Sequence, residues 1–260
     1  MSDPVPVPVL AATVLIVRDG AAGLEVFMVK RHHQIDFAAG ALVFPGGKAD
    51  PQDCDLELEH YVDGIEGWSR ERRILAFAAM REAFEEAGVL FARDSANNPV
   101  GEERLAKLQP YRERIEKGQT TLIEMLRGER LRLACDDLVP FAHWVTPASM
   151  PRRFDTHFFI VRTTPGQVGR HDGRESVDSA WLRPQDALAD SARWKIIFPT
   201  KLNLLKLGRS MTAEDAIVAA RASEPLRVEP WLEDGPEGKK LHIREDAGYE
   251  PTWVWLRDAF

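Results

Sequence analysis

The sequence predicts an α/β (α+β) fold, with a mixed β-sheet flanked by helices. Three observations carry this expectation. Two apolar, β-branched runs precede any helical pattern. One long helix follows, with a start signal and a stop signal. Beyond it, strands and helices mix without the regular βαβ alternation of a parallel sheet. A chain of 260 residues, 44% hydrophobic, is ample for one core and exceeds the usual single-domain size. One main domain over 8–210 is therefore expected, with insertions at about 48–69 and 101–130. Residues 211–260 form a C-terminal extension packed on it.

The elements read in order. Ala11 to Val17 and Leu24 to Val29 are strands joined by a turn at Asp19-Gly20. His32 to Gly40 reads as a loop, Ala41 to Phe44 as a short strand, and Pro45-Gly46-Gly47 as a turn. Lys48 to Gly67 is polar and acidic with no period, which predicts an insertion loop. Ser69 caps a helix over Arg70 to Ala87, and Gly88 ends it. Phe77, Met80, Phe84 and Ala87 recur at helical spacing and form a buried stripe. Val89 to Phe91 begins an extended segment. Glu102 to Leu126 is mainly helical, with a break near Gly118. Leu138 to Val145, Thr156 to Val161 and Val177 to Trp181 are strands. Pro184 to Leu188, Pro199 to Leu207 and Ala213 to Ala222 are helices. Trp231, Trp253 and Trp255 mark the tail as packed.

Charge and composition exclude several classes of partner. A formal net charge of −7 argues against a broad nucleic-acid surface and against a polybasic membrane patch. It does not exclude an anionic small molecule, because a bound divalent ion inverts the local field. Cys54 and Cys135 give neither a disulfide framework nor zinc-ligand spacing. Met1 to Val9 lacks the pattern of a secretory signal, and no apolar run approaches the roughly 20 residues that span a bilayer. The last four residues, Arg257 to Phe260, form no address signal. A cytoplasmic protein is expected. A homodimer is compatible with the sequence, which does not fix the oligomeric state.

The strongest chemical signal is Arg81-Glu82-Ala83-Phe84-Glu85-Glu86-Ala87-Gly88-Val89. Residues three and four apart share a helix face, so Glu82, Glu85 and Glu86 project together while Phe77, Met80 and Phe84 face the core. Three carboxylates on one face repel, and hard divalent cations such as Mg²⁺ or Mn²⁺ relieve the repulsion. A solvated acidic face is the plainer reading of such a cluster taken alone. The context, Phe44-Pro45-Gly46-Gly47 upstream and the Gly88 stop downstream, favours a site.

Residues 81–89 resemble the second half of the box that defines Nudix hydrolases, and Gly47 resembles its opening glycine. The resemblance implies a loop–helix–loop in an α/β/α sandwich. It implies that Glu85 and Glu86 bind metal, that Glu82 is a ligand or the base, that the Gly46 carbonyl completes the site, and that Arg81 orients the glutamates. The family's spacing from opening Gly to Arg is 14, whereas here it is 81 − 47 = 34. The glutamate expected six positions after the glycine is replaced by Asp53. The reading of Asp50, Asp53 and Asp55 from composition is a polar loop. Gly40 with Phe44-Pro45-Gly46-Gly47, the interrupted box, the helical insert and Arg152-Arg153-Phe154-Asp155-Thr156 resemble the coenzyme A diphosphatase branch, in its peroxisomal-type form.

Other candidates carry less information. Lys30, Arg31, His32 and His33 are cations placed to meet phosphates, or a charged strand end in solvent. Arg152 and Arg153 are candidate phosphate contacts, or partners of a carboxylate at the core edge. Glu175, ahead of a strand, is a candidate ligand or base, or an exposed acid. The implied reaction is metal-dependent attack of water on a diphosphate, with coenzyme A or an acyl-coenzyme A as the expected substrate. ADP-ribose or a dinucleotide is the alternative substrate, and a non-catalytic nucleotide-binding regulator the alternative class.

Overall fold

The computed structural model describes residues 5–32 and 39–259. His33, most of the loop expected at His32 to Gly40, the first four residues and Phe260 lie outside the described residues.

The chain opens with strands β1 (Val9–Gly20), β2 (Gly23–Arg31), β3 (Leu42–Val43) and β4 (Gly46–Lys48), then two 3₁₀ turns and β5 (Val62–Asp63). Helix α1 (Arg70–Ala87) follows, then β6 (Ala92–Arg93), α2 (Glu102–Glu116), α3 (Leu122–Glu129) and β7 (Arg132–Ala134). Strands β8 (Val139–Val145), β9 (Phe154–Arg162) and β10 (Ser176–Leu182) return to the main sheet. Next come α4 (Pro184–Ala189), α5 (Phe198–Leu207), α6 (Ala213–Arg221) and β11 (Arg227–Val228). The chain closes with β12 (Trp231–Gly235), β13 (Gly238–His242) and β14 (Trp253–Trp255).

The main sheet runs β10-β2-β1-β9-β8-β11, mixed because β1 and β9 are parallel and β8 and β9 antiparallel. Every residue of β1 from Val14 to Val17 is fully buried, as expected of a strand covered on both faces. Its alternation sorts the two cores. Ala12, Val14 and Ile16 face α1 together with Phe27 and Val29. Leu15 and Val17, with Val26 and Met28, face α5 and α6. The architecture is thus an α/β/α sandwich.

β1 and β2 pair only near their turn, from Val17↔Val26 to Gly20↔Gly23. Toward the other end they part. Ala11 and Thr13 pair with Lys48 and Gly46 of β4, and Val29 and Lys30 pair with Val43 and Leu42 of β3. Gly46 and Gly47 therefore open a strand rather than complete a turn, and the chain bends at Pro45. The parting of β1 and β2 wedges this segment under α1.

The polar stretch 48–67 is also more ordered than its composition predicts. Asp50 and Asp55 cap the two 3₁₀ turns, each accepting from the backbone two residues on. Leu58, Val62 and Ile65 enter the α1-side core. β5 joins β7 and β6 in a small sheet that ties the two insertions together. In the tail, the packed residues are Leu241, Ile243, Tyr249 and Ala259. Trp231 and Trp253, read from sequence as the anchors, are instead 49% and 39% exposed. They stack on either side of His242 on the β12–β13–β14 sheet. Among the described residues, no helix is long and apolar enough to cross a membrane.

Phe77 is 2% exposed and lies in the α1-side core. Phe77→Ala is expected to lower the unfolding free energy by about 3–5 kcal/mol. Urea unfolding followed by circular dichroism checks this.

Candidate active site

The last two turns of α1 carry the acids. Ser69 accepts a bond from the Arg72 N–H and starts the helix, and Gly88 ends it in the left-handed region at φ 65°. A Cβ at Gly88 would also lie 2.6 Å from Arg112 Nη1. The guanidinium of Arg112 donates to the Glu85 carbonyl from both Nε and Nη2, and Gln109 donates to the Gly88 carbonyl. These α2 residues satisfy the exposed carbonyls of α1 and place a cation at the negative end of its dipole.

Arg81 organises the acids. It is 5% exposed, and all five of its N–H groups have an acceptor. Nε and Nη2 donate to the two oxygens of Asp53, at 3.0 and 2.9 Å. Nη2 also reaches the Lys48 carbonyl, and Nη1 donates to Glu82 and Glu85 at 2.9 and 3.1 Å. Asp53 is therefore not part of a polar loop. It is 1% exposed, accepts a bidentate pair from Arg81, and also accepts from the Asp50 N–H. The 20-residue lengthening of the box lies after this aspartate, so the pairing survives it.

The glycine pair fits against the glutamates. The Gly46 N–H donates to Glu86 Oε2 at 2.9 Å, so the contact seen is through its amide. A Cβ at Gly47 would lie 2.3 Å from Glu82 Oε1, so the absence of a side chain is what lets the carboxylate approach the strand.

Three carboxylates, Asp53, Glu82 and Glu85, bond to the one guanidinium of Arg81, and Glu86 joins the cluster beside Glu82 and the Gly46 N–H. Burial pushes Glu82 up to about 7; Arg81 opposes this, and Glu175 adds to it. Burial and then the Glu82 charge push Glu85 up to about 8 against the pull of Arg81. Glu86 rises well above the ordinary range through burial and the Glu82 charge, opposed by the Gly46 N–H and by Arg31. Burial works against the Arg81 charge, but Asp53 and the glutamates outweigh it and hold the guanidinium ionised. A cluster of buried carboxylate oxygens with too little positive charge is the donor set that Mg²⁺ or Mn²⁺ fits. Glu82, Glu85 and Glu86 are the residues able to hold such an ion.

The remaining sequence candidates divide. Arg31, at the end of β2, and Glu175, just before β10, are brought together by the β2–β10 ladder, and the charges of both reach Glu86. Glu175 is exposed, on a turn whose backbone N–H groups are held by Asp172. Arg152 is exposed ahead of β9. Arg153 is a correction. It is 8% exposed and donates to the carbonyls of Thr146 and Pro6 and to Glu229, so it ties the strand ends rather than presenting a fork to phosphate. Gln109, Arg112 and Asp172 carried no pattern in the sequence, because their partners lie far along the chain or on the backbone.

Comparison with known proteins points the same way as this geometry. A family model described as the NUDT19 Nudix domain matches residues 71–205. An acyl-coenzyme A diphosphatase NUDT19 of Xenopus laevis is 25% identical over 228 residues, covering 70% of this chain and 58% of the relative. Nudix hydrolase 7 of Caenorhabditis elegans is 28% identical over 179 residues, covering 67% of this chain and 52% of the relative. The chain thus spans little more than half the length of these curated relatives. The crystal structure of a Nudix hydrolase from Alicyclobacillus acidocaldarius superposes with a TM-score of 0.69 at 28% identity, covering 85% of this chain and 98% of that one. With half of its length matched and the helix acids in place, the chain belongs to the Nudix family. Within that family its match is to the NUDT19-type domain, which resembles the coenzyme A diphosphatase branch.

Two expectations follow. Asp53→Asn leaves Arg81 buried with one of its three carboxylate partners neutralised and is expected to lower stability by about 3–5 kcal/mol in urea unfolding. In metal-free protein, Glu82 and Glu85 keep protons in the folded state that the unfolded chain releases above the ordinary glutamate value of 4.5. Their contribution to stability is therefore present at low pH and is lost as pH rises through 7 and 8. Calorimetry should show Tm falling from about pH 5 to about pH 8 without metal. The fall should flatten in the Glu82→Gln, Glu85→Gln double variant.

Proposed function

We propose that the protein is a divalent-metal-dependent diphosphatase of coenzyme A or acyl-coenzyme A. The products would be adenosine 3′,5′-bisphosphate and (acyl) phosphopantetheine. The observation that carries the hydrolase reading is the set of three glutamates packed against Gly46 and Gly47, two of them bonded to Arg81 and the third to the Gly46 N–H. The narrower substrate rests on the likeness to a relative named as an acyl-coenzyme A diphosphatase. A cytoplasmic enzyme of a small nucleotide-linked substrate goes with this reading, rather than one acting on nucleic acid or at a membrane.

Mg²⁺ or Mn²⁺, when bound, supplies charge neutralisation on the diphosphate and acidifies the attacking water. The residues of the chain do the rest. Glu82, Glu85 and Glu86 would hold the ion, and Arg81 fixes two of them by direct bonds. Arg31, beside Glu86 and with its Nε buried and without a hydrogen-bond partner among the described residues, meets an anionic oxygen of the substrate. Glu82 is tied to Arg81, whereas Glu175 is exposed at the edge of the same field. Glu175 is the group we assign to take the proton from water.

The test is a screen with Mg²⁺ and Mn²⁺ over coenzyme A, acetyl- and longer acyl-coenzyme A, dephospho-coenzyme A, ADP-ribose and NADH. Metal-dependent cleavage of coenzyme A species is expected, abolished in Glu86→Gln. In Glu175→Gln, kcat should fall by about 10²–10⁴-fold with metal binding retained. Cleavage of ADP-ribose or NADH in preference would overturn the substrate while keeping the chemistry. Metal binding without turnover of any of them would favour a nucleotide-binding regulator.

A further inference from the structure

On the same α1-facing side of the sheet as the glutamates, but nearer the start of the helix, lies a second group of ligating side chains. His143 on β8 and His157 on β9 are direct cross-strand partners, and Asp155 lies two residues before His157 on the same face. The imidazoles stack with centroids 3.9 Å apart and planes 28° from parallel. Both aim Nε2 at one oxygen of Asp155, at 2.6 Å from His143 and 3.4 Å from His157. One ligand atom from each of the three lies within 4.8 Å of the others.

A His–Asp hydrogen bond explains one histidine. The second, stacked on the first, reaches the same oxygen only at 3.4 Å, so it is the more loosely held of the two. An ion shared by the three side chains would give it a direct partner. Ligand atoms about 2.0–2.1 Å from a tetrahedral Zn²⁺ sit roughly 3.3 Å apart; the His157–Asp155 spacing of 3.4 Å already matches this, and the His143–Asp155 hydrogen bond of 2.6 Å would open to reach it. The set rests on two paired strands, so its geometry is fixed by the ladder rather than by a loop. Beside it opens a cavity of about 200 Å³, lined also by Ser69, Arg72 and Leu75 of the first turns of α1. That side is open for water or a further ligand.

We propose that His143, Asp155 and His157 form a second metal site, selective for a zinc-type transition ion. Two imidazole nitrogens and one carboxylate suit Zn²⁺ or Co²⁺, whereas the all-carboxylate set on α1 suits Mg²⁺ or Mn²⁺. The two sites are separate. Gly47 pairs with Ala12 and Ala12 with His157, which puts two strand spacings, about 10 Å, between the glycine and the histidine backbones. An ion here would fasten β8 to β9 beside the start of α1.

The probe is Co²⁺, added to untagged, chelator-stripped full chain in saturating Mg²⁺. One Co²⁺ per chain is expected, with visible ligand-field absorption. Binding should weaken by at least about 100-fold in His157→Gln and in Asp155→Asn. It should be retained in Glu86→Gln. If a variant fails to fold, imidazole NMR of the unaltered protein decides, because Co²⁺ must broaden the His143 and His157 signals first. Zn²⁺ should also raise Tm, since an ion that binds only the folded chain stabilises it. Co²⁺ uptake lost in Glu86→Gln, uptake unchanged in His157→Gln, or unaffected His143 and His157 signals would each overturn the proposal and leave a hydrogen-bonded cluster.

Discussion

The buried guanidinium of Arg81 is the interaction on which the site depends. A buried ion pair is weak support for stability, because the desolvation of both partners offsets most of their attraction. What Arg81 supplies is position. Its planar fork takes Asp53 on one edge, and its remaining donors take Lys48, Glu82 and Glu85. Strand β4, the turn at Asp53 and the acidic face of α1 are thereby held to one another by a single rigid group. A lysine could not do this, since it lacks the fixed fork and two of the five donors.

This arrangement explains how the box tolerates its interruption. Asp53 stands six residues after Gly47, before the extra chain departs, and Ser69 restarts the pattern by capping α1. The added chain between them needs only to leave and return. Closing a somewhat longer loop adds little entropy, and here Leu58, Val62 and Ile65 offset it by entering the core. The second insertion serves the same helix from its other end. Arg112 and Gln109 hold the carbonyls after Phe84, and β7 pairs with β5 so that the two additions brace each other.

Much of the site was legible because it is local. Ser69, Gly88 and the three glutamates lie within one helix, where spacing translates directly into a shared face. The run Ala11 to Val17 announces a strand buried on both sides in the same way. What was not legible depends on distant partners. Asp53 lies 28 residues from Arg81, and nothing in its neighbours distinguishes a buried aspartate from a solvated one. The stretch 48–67 hid its order because 3₁₀ turns and two-residue strands have no period to detect. Arg153 looked like a phosphate ligand from its pairing with Arg152, but its direction is set by Glu229 and the Pro6 carbonyl, 76 and 147 residues away. Trp231 and Trp253 suggested burial by residue type, yet the short sheet that carries them turns both outward.

The electrostatics of α1 then follow from the fold rather than from the sequence. Exposed, three neighbouring glutamates would repel by a few tenths of a kcal/mol per pair and stay ionised. The α1-side packing that buries Phe84 and Ala87 also takes Glu82 and Glu86 out of water, and the lower effective dielectric strengthens every interaction among them. Burial thus raises the proton affinity of the cluster and its affinity for a divalent ion together, so proton and metal compete for the same oxygens. Arg81 moderates this competition by lowering the proton affinity of Glu82 and Glu85 without neutralising the site, because one guanidinium cannot balance four carboxylates. A second cation in place of Asp53, or the loss of Arg81, would each move the balance the wrong way: the first leaves too little negative charge to attract an ion, and the second leaves the acids protonated.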